Sequence, residues 1–296
     1  MAKLGSFWMG DLSPLEIACL SSFAEMGHEV VVYSYAPFVN LPRNIANEDA
    51  NSIVNSSHAT RFITDGQQNV AHFSDYFRYV MFSKTQRFWI DSDVLLQRDF
   101  VINPDEIFVV DEGDWRICNA ILRLPSGSTE LNEIIKQVEQ LQDKDVPWAA
   151  TQSVISKVFR SSPGRDAVIP RPPRDFMPIA SLDFFKILLP EYKEECSKLC
   201  ASAYTIHLYS NILSRIGYYK FLLPPKGSYL NDYLTSRGHA HLFIGCYPAD
   251  TVRNLVEGWH LRFSGNSVGM RGLLRQVVPS ILRTYRRCKW NGFRSR

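Results

Sequence analysis

The amino-acid sequence predicts an α/β fold in which helices flank a mostly parallel sheet. The apolar run Leu4–Trp8 precedes a helix start at Ser13, and the β-branched and aromatic segment Glu29–Tyr35 follows that helix. A strand, a helix and a second strand within about 30 residues form a βαβ unit, whose strands run parallel. Strand and helix patterns then continue to alternate along the chain, which is typical of α/β folds.

The first predicted helix has a start signal and a stop signal. Ser13 is the expected N-cap, Pro14 occupies the first turn, and Glu16 lies three residues after the cap, as in a capping box. Gly27 is placed to end the helix. These signals place the helix between the two strands of the βαβ unit.

The remaining elements follow from hydrophobic periodicity and from turn residues. Further strands are predicted at 59–64, 88–91, 107–111, 117–124 and 204–208, and further helices at 73–83, 129–141 and 229–236. The proline-rich segment 161–178 is predicted to be a surface loop, because proline interrupts regular elements. Ligands of parallel α/β sheets bind at the carboxyl ends of the strands, so we expect the functional site there.

Composition excludes several classes of protein. The chain has 296 residues and is 45% hydrophobic, which excludes global disorder. No run approaches the ~18 apolar residues of a membrane span, and the N-terminus lacks the apolar run of a signal peptide, so a cytoplasmic location is expected. The six cysteines are scattered along the chain, which favours reduced packing thiols over a zinc site.

The charge is divided unevenly along the chain. The net charge is +3, but residues 258–296 contain nine basic residues and no acidic one. The rest of the chain therefore has 24 basic and 30 acidic residues, a net charge of −6. This asymmetry predicts an anionic partner for the basic segment, either nucleic acid or anionic lipid.

Two aspartate pairs have the spacing Asp-x-Asp. Asp143 and Asp145 lie in a polar helix end, where a solvated turn is the natural interpretation. Asp91 and Asp93 interrupt the apolar runs FWI and VLL at the carboxyl end of a predicted strand, where unpaired burial is costly. Two carboxylates at this edge suit Mg²⁺ or Mn²⁺ bound jointly with substrate phosphates. The alternative is a pair that merely caps a turn.

The helix that leads into the same strand carries Ser74-Asp75-x-x-Arg78-Tyr79. Asp75 and Arg78 are three residues apart and share one helical face. Together they offer an acceptor and a forked donor to a polyhydroxylated or phosphorylated ligand. The alternative is an ordinary surface ion pair.

The segment SDYFRY, followed after a short interval by aromatic-x-Asp-x-Asp, resembles the DXD-containing glycosyltransferase family. That family includes bacterial polysaccharide and lipopolysaccharide sugar transferases, yeast-type mannosyltransferases, α-1,4-glycosyltransferases and, more distantly, glucosylating clostridial toxins. The opening FWMGDLSPLEIACLSSFAEMGHEVVVYSY is similar to that of the bacterial members. The resemblance implies a GT-A fold and a metal-dependent, retaining transfer of a hexose from a nucleotide-diphosphate sugar to a glycan or lipid-linked acceptor.

The resemblance also implies a role for each matching residue. Asp91 and Asp93 hold Mn²⁺ or Mg²⁺ on the donor diphosphate, and His207 in AYTIHLYSN completes the metal site, unless that histidine is structural. The residues implied for the donor sugar are Asp75, Arg78 and Asn119. The residues implied for the nucleotide are Trp8, Ser74 and Trp89.

One domain of residues 1–258 and a basic amphipathic segment of residues 259–296 account best for the length. On a helical wheel, leucine, valine and isoleucine residues between 273 and 282 share one side, opposite four arginines between 275 and 287. This pattern favours peripheral contact with an anionic membrane, where a lipid-linked acceptor would be found. Packing on the domain is the alternative, and nucleic acid is disfavoured because no recognition motif accompanies the charge.

Two other functions stay open from the sequence. A metal-dependent phosphate-ester hydrolase would also use Asp91 and Asp93, but no further carboxylate and histidine cluster supports a two-metal centre. A catalytically inert relative would bind a sugar nucleotide or act as a scaffold. The intact Asp75, Arg78, Asp91 and Asp93 argue against it.

Overall fold

A computed structural model of the chain describes residues 1–103, 105–263 and 281–282. The described strands are β1 Lys3–Phe7, β2 Glu29–Ser34, β3 Ile45–Asp49, β4 Ile63–Thr64, β5 Gln67–Gln68, β6 Phe88–Ile90, β7 Val94–Leu96, β8 Phe108–Asp111, β9 Ile117–Arg123, β10 Thr205–His207, β11 Leu222–Leu223 and β12 Gly245–Cys246. The described α-helices are α1 Pro14–Glu25, α2 Val70–Lys84, α3 Thr129–Glu139, α4 Ala150–Ser161, α5 Pro173–Phe176, α6 Lys193–Cys200, α7 Ser210–Arg215, α8 Tyr229–Ser236 and α9 Ala249–Phe263.

The central sheet has six strands in the order β3-β2-β1-β6-β9-β8. Strands β3, β2, β1 and β6 run parallel, whereas β9 is antiparallel to both β6 and β8. Helices flank this sheet, so the predicted α/β class with a mostly parallel sheet is confirmed. Because β1 and β6 are parallel neighbours, Trp8 after β1 and Asp91 after β6 emerge at the same edge of the sheet.

Helix α1 begins and ends as the sequence predicts. The Ser13 side chain accepts a hydrogen bond from the Leu15 amide, and the Glu16 carboxylate accepts one from the Ser13 amide, which completes the capping box. The chain leaves the helix through Gly27, whose φ of +85° is readily adopted by glycine.

Helix α2 packs closely on β1 through a small residue and through aromatic rings. A Cβ at Gly5 would lie 2.6 Å from the Met81 sulfur, so a larger residue at this position would displace the Met81 side chain. Phe7 meets Phe73 and Phe77 with ring centroids 5.4 and 4.4 Å apart. These contacts fix α2 against the sheet, so its polar face, with Asp75 and Arg78, lies toward the end of β6.

The prediction of a strand at 59–64 is wrong. Residues Ser56–Arg61 form a 3₁₀ helix, which begins where the Asn55 side chain accepts a hydrogen bond from the Ser57 amide. Only Ile63–Thr64 is extended, and it pairs with β5 in a short hairpin. Local side-chain capping prevails here over the weak alternation of apolar residues.

The proline-rich segment 161–178 is more ordered than the predicted surface loop. The Arg171 amide donates to the Val109 carbonyl over 2.8 Å, and the Asp111 amide donates to the Arg171 carbonyl over 3.1 Å, so one residue extends the sheet beside β8. Phe176 then lies buried against Phe108, with ring centroids 5.2 Å apart. Proline excludes long regular elements, but it does not prevent docking through single residues.

Several elements were not predicted from the sequence. They are β3, β5, β7, β11, β12, α4, α5, α6, α7 and α9, together with 3₁₀ helices such as Ser181–Leu188. Strand β3 reads IANED, and four of its five residues are exposed, because it is the edge strand of the sheet. Such an edge lacks the apolar pattern that identifies buried strands.

A separate two-stranded sheet carries part of the candidate functional site. Strands β7 and β10 pair antiparallel, with Leu95 opposite Ile206 and Val94 opposite His207. Both Leu95 and Ile206 are fully buried in an apolar cluster. This register places residues 94–96 beside residues 205–207, which lie some 110 positions later in the chain.

Helix α9 passes through the predicted domain boundary at residue 258 and buries Val252 and Val256. Most of the basic amphipathic segment lies outside the described residues. Within the described part of the chain, no helix is both long and apolar enough to cross a membrane.

Candidate metal site and its cleft

A cleft of about 510 Å³ lies at the carboxyl ends of β1 and β6. Eight of the nine residues predicted for the site line it: Trp8, Ser74, Asp75, Arg78, Asp91, Asp93, Asn119 and His207. These residues come from α2, from β9 and from the ends of β1, β6, β7 and β10, so the fold gathers segments that are distant in sequence.

Asp91, Asp93 and His207 form a group that could hold one metal ion. Their ligand atoms all lie within 4.8 Å of one another. Asp91 follows β6, Asp93 precedes β7, and His207 is the last residue of β10, opposite Val94. The His207 Nε2 atom lies 3.3 Å from Asp93 Oδ1, whereas its buried Nδ1 atom has no hydrogen-bond partner among the described residues. Two carboxylates and one imidazole are a donor set suited to a divalent cation.

The turn after β10 holds Asp93 in place. The Ser210 amide donates to Asp93 Oδ2 over 2.6 Å, and the Leu208 amide donates to the Asp93 carbonyl over 2.9 Å. Tyr209 between them has a φ of +51°, a conformation that non-glycine residues rarely adopt. Its hydroxyl donates to the Ile179 carbonyl over 2.8 Å, which anchors the strained turn.

Asp91 is oriented by two donors from the protein. Arg78 Nη2 and Trp89 Nε1 donate to Asp91 Oδ1 over 2.8 and 2.6 Å. No described residue donates to Asp91 Oδ2, and 27% of the side chain is exposed. One oxygen is therefore fixed by the protein while the other faces the cleft.

Trp89 differs from its prediction as a nucleotide-binding residue. The side chain is fully buried and does not line the cleft. Its indole donates to Asp91, and the Arg78 guanidinium lies over its ring at 4.5 Å. An indole enclosed in this way orients the Asp91 carboxylate through a hydrogen bond rather than stacking on a nucleotide base.

Asp75 and Arg78 belong to a buried network, so they are not an ordinary surface ion pair. Asp75 Oδ1 accepts hydrogen bonds from Arg78 Nη1 over 2.8 Å and from Asn119 Nδ2 over 3.0 Å. Asp75 Oδ2 accepts one from the Thr151 hydroxyl over 2.6 Å, and the Tyr79 hydroxyl donates to Asn119 Oδ1 over 3.1 Å. Because Arg78 also bonds Asp91, this network connects α2, β9 and α4 to the candidate metal site.

The surroundings shift the pKa values of the three candidate ligands in different directions. Burial raises the pKa of Asp91, although the Arg78 charge opposes this shift. Burial also disfavours the charged form of Asp93, but the His207 ring and the Ser210 amide outweigh it and lower its pKa. Burial would lower the pKa of His207, yet the neighbouring Asp93 carboxylate raises it above 6.5.

Sequence reasoning missed a second charged group beside the cleft. Glu16 is fully buried and accepts hydrogen bonds from the Ser210 hydroxyl and from Lys220. Lys220 lines the cleft, and its ammonium lies 5.3 Å from the centre of the Trp8 ring. The sequence identified Glu16 as a capping residue only, and no motif surrounds Lys220.

Asp143 and Asp145 form no metal group. Asp143 makes two hydrogen bonds with Arg61 through its Oδ2 atom, at 3.0 and 2.6 Å, and Asp145 accepts one from the Gly66 amide at 2.9 Å. Both aspartates are exposed. Their interpretation as part of a solvated turn is confirmed.

No protein-family model matches this chain, and no curated protein matches it. Among solved structures, one described as a transferase mutant is similar with a TM-score of 0.37 and 12% sequence identity, over 55% of this chain and 85% of that one. A similarity this low does not define a shared fold.

Proposed function

We propose that this protein is a metal-dependent glycosyltransferase of the GT-A type, which moves a hexose from a nucleotide-diphosphate sugar to a glycan or lipid-linked acceptor. The observation that carries the proposal is the convergence of Asp91, Asp93 and His207 in one cleft at the carboxyl edge of a mostly parallel sheet. This is where α/β folds bind nucleotides.

The charges around the cleft fit a divalent cation. Among the described residues, four carboxylates, those of Glu16, Asp75, Asp91 and Asp93, are connected to two permanent cations, Arg78 and Lys220. The formal charge of this cluster is −2 when His207 is neutral, and a divalent cation would neutralise it. Mn²⁺ or Mg²⁺ held by Asp91, Asp93 and His207 would act as a Lewis acid that stabilises the leaving diphosphate.

The chain's own residues would bind and orient the donor. Trp8 offers an indole to the base at the end of β1, and Lys220 beside it provides a positive charge for the diphosphate. Ser74, Asp75 and Asn119 line the cleft near Arg78, where the hydroxyls of the transferred sugar would lie. Arg78 and Trp89 hold Asp91 in a fixed orientation, so the ligand geometry exists before the donor binds.

The two other functions that the sequence left open have less support. A two-metal phosphate-ester hydrolase needs a second ligand group, whereas residues 1–103, 105–263 and 281–282 contain one such group. An inert sugar-nucleotide-binding relative does not require buried support for each metal ligand, which Asp91 and Asp93 both have.

Thermal unfolding with a panel of UDP- and GDP-sugars, each with and without Mn²⁺, tests the proposal. One nucleotide sugar is expected to raise the midpoint only with metal present, and Asp93→Asn should abolish the shift, because this variant removes a ligand charge. Asp145→Asn is the matched control, since it changes the other Asp-x-Asp pair. Indifference of the wild-type protein to every donor would refute the proposal.

We also propose that the basic segment 259–296 attaches the enzyme peripherally to an anionic membrane that carries the acceptor. Support comes from its nine basic residues and from its amphipathic pattern. Removal of residues after Ser267 should leave donor binding intact but reduce flotation with vesicles that contain phosphatidylglycerol. Equal flotation of both proteins would contradict the attachment.

A further inference from the structure

One aromatic side chain in the cleft has no role in the donor site. Trp148 precedes α4, lines the cleft and is 45% exposed. Leaving so much of an indole in water forgoes the free energy of burying it, and exposed aromatic surface within a cleft marks a ligand contact. Trp8, the other tryptophan that lines the cleft, lies at the end of β1 beside Lys220.

Trp148 is held in position from two sides. The buried His72 in α2 donates through Nε2 to the Trp148 carbonyl over 2.6 Å. The guanidinium of Arg215, at the end of α7, lies 4.4 Å from the centre of the indole ring. Because α7 begins at Ser210, whose amide bonds Asp93, the indole is tied to the candidate metal site by one short helix.

We propose that Trp148 and Arg215, here named the Trp148 platform, bind a pyranose ring of the acceptor; this inference rests on the proposed glycosyltransferase function. A pyranose has an apolar face of C–H groups, which packs on an aromatic ring, and hydroxyls around its edge, which need hydrogen-bond partners. Gln152, Asn211 and Ser214 line the same cleft and are exposed.

The polar side chains beside the platform are available to a ligand. No described residue hydrogen-bonds the side-chain amides of Gln152 and Asn211. The side-chain amide of Asn119 differs, because both its oxygen and its nitrogen have partners. Amides donate and accept, so they match sugar hydroxyls in either orientation. An indole, a guanidinium and unpaired amides together favour a neutral sugar ring over an aliphatic ligand.

Indole N–H resonances in a ¹⁵N spectrum of the full chain test this assignment. The chain has six tryptophans, and variants with phenylalanine assign each signal. Mg²⁺ with UDP or GDP is expected to shift the Trp89 and Trp8 signals. Methyl glucoside, methyl galactoside or methyl mannoside, added next, is expected to shift the Trp148 signal. Trp115, which stacks on Phe159 away from the cleft, serves as the internal reference.

The two proposals fail in different ways in this experiment. If Mg²⁺ and both nucleotides leave Trp89 and Trp8 unchanged, the donor site is wrong. If no methyl glycoside shifts Trp148, or if UDP or GDP alone shifts it as strongly as it shifts Trp8, the acceptor platform is wrong, and in the second case Trp148 is a base contact.

Variants measure the contribution of the platform. Saturation transfer from the protein to the bound methyl glycoside should show about tenfold weaker affinity in Trp148→Ala and nearly full affinity in Trp148→Phe, which keeps an aromatic face. Affinity for Mg²⁺ with nucleotide should stay unchanged in both. Tyr219→Ala, which removes another exposed aromatic outside the cleft, is the matched control. An unchanged glycoside affinity in Trp148→Ala would overturn the assignment.

Discussion

The chain contains two Asp-x-Asp pairs with the same spacing, and their surroundings differ in every respect that matters for metal binding. Asp91 and Asp93 are supported by Trp89, by Arg78 and by the Ser210 amide. Asp143 and Asp145 are exposed to solvent. Asp143 bonds the surface residue Arg61, and Asp145 bonds the backbone amide of Gly66 in a turn. The spacing alone therefore does not identify a metal site, whereas burial, fixed donors and a histidine from another strand distinguish the candidate site.

The second difference concerns the arginine that accompanies each pair. Arg78 is 3% exposed and bonds two carboxylates, Asp75 and Asp91. Arg61 is 42% exposed and bonds Asp143 alone. A buried arginine with two acidic partners cannot be removed without leaving charges in a poorly solvated place, whereas water replaces an exposed one.

The largest expected effect is therefore on stability. Arg78→Ala should lower the free energy of unfolding by about 3–5 kcal/mol, because Asp75 and Asp91 lose the cation that compensates their burial. Urea unfolding followed by circular dichroism measures the change. Arg61→Ala is the control and should leave the urea midpoint nearly unchanged; equal losses in both variants would remove the distinction between the two regions.

The next effect is on metal affinity. Asp93→Asn should weaken Mn²⁺ binding at least about 100-fold, because it removes a ligand charge whose geometry Ser210 fixes. Asp145→Asn should bind Mn²⁺ as the wild type does. Calorimetric titration of both variants gives the comparison, and a comparable loss in Asp145→Asn would show that the exposed pair binds the metal.

The pH dependence of metal binding tests His207, the candidate histidine ligand that the exposed aspartate pair lacks. The raised pKa of His207 means that, without metal, its ion pair with Asp93 stabilises the fold fully below pH 6.5 and is lost as the pH rises through the folded pKa. A histidine binds a metal only in its neutral form, so Mn²⁺ affinity should rise by about tenfold per pH unit from 6.5 toward that pKa. His207→Asn should flatten this profile in titrations between pH 6 and 8; an unaltered slope would exclude His207 as a ligand.

The weakest change in metal affinity is expected from removing the hydrogen bond that the Trp89 indole donates to Asp91. Trp89→Phe keeps an aromatic ring under the Arg78 guanidinium but removes the indole donor to Asp91. Mn²⁺ affinity should fall about fivefold, which corresponds to the loss of one hydrogen bond. Trp115→Phe, outside the cleft, is the control for loss of an indole in the same titration. No change in Trp89→Phe would mean that Arg78 alone orients Asp91.

Local sequence signals were sufficient where the structure is itself local. The capping box at Ser13 and Glu16 and the end of α1 at Gly27 depend on residues within one or two turns, so they were predictable. Helix α8 is observed at Tyr229–Ser236, as predicted. The prediction of a strand at 59–64 is wrong because Asn55, also a local signal, caps a 3₁₀ helix over Ser56–Arg61.

Residues that act across the fold were harder to find. Glu16 has two roles, and only the capping role is visible locally; its bonds to Ser210 and Lys220 join positions about 200 residues apart. The resemblance to DXD-containing glycosyltransferases implied a nucleotide contact for Trp89. The fold instead encloses it beneath Asp91.

Local sequence patterns specify the α/β class, the βαβ start, and Asp91 and Asp93 at the end of a buried strand, because hydrophobic periodicity and turn chemistry depend on near neighbours along the chain. Which residues meet at that strand end depends on long-range packing. Pairing of β7 with β10 sets His207 opposite Val94 and beside Asp93, and the turn at Tyr209 aims the Ser210 amide at the same carboxylate. The register of two short strands far apart in sequence depends on how their buried faces pack, as at Leu95 and Ile206, and no local pattern specifies it.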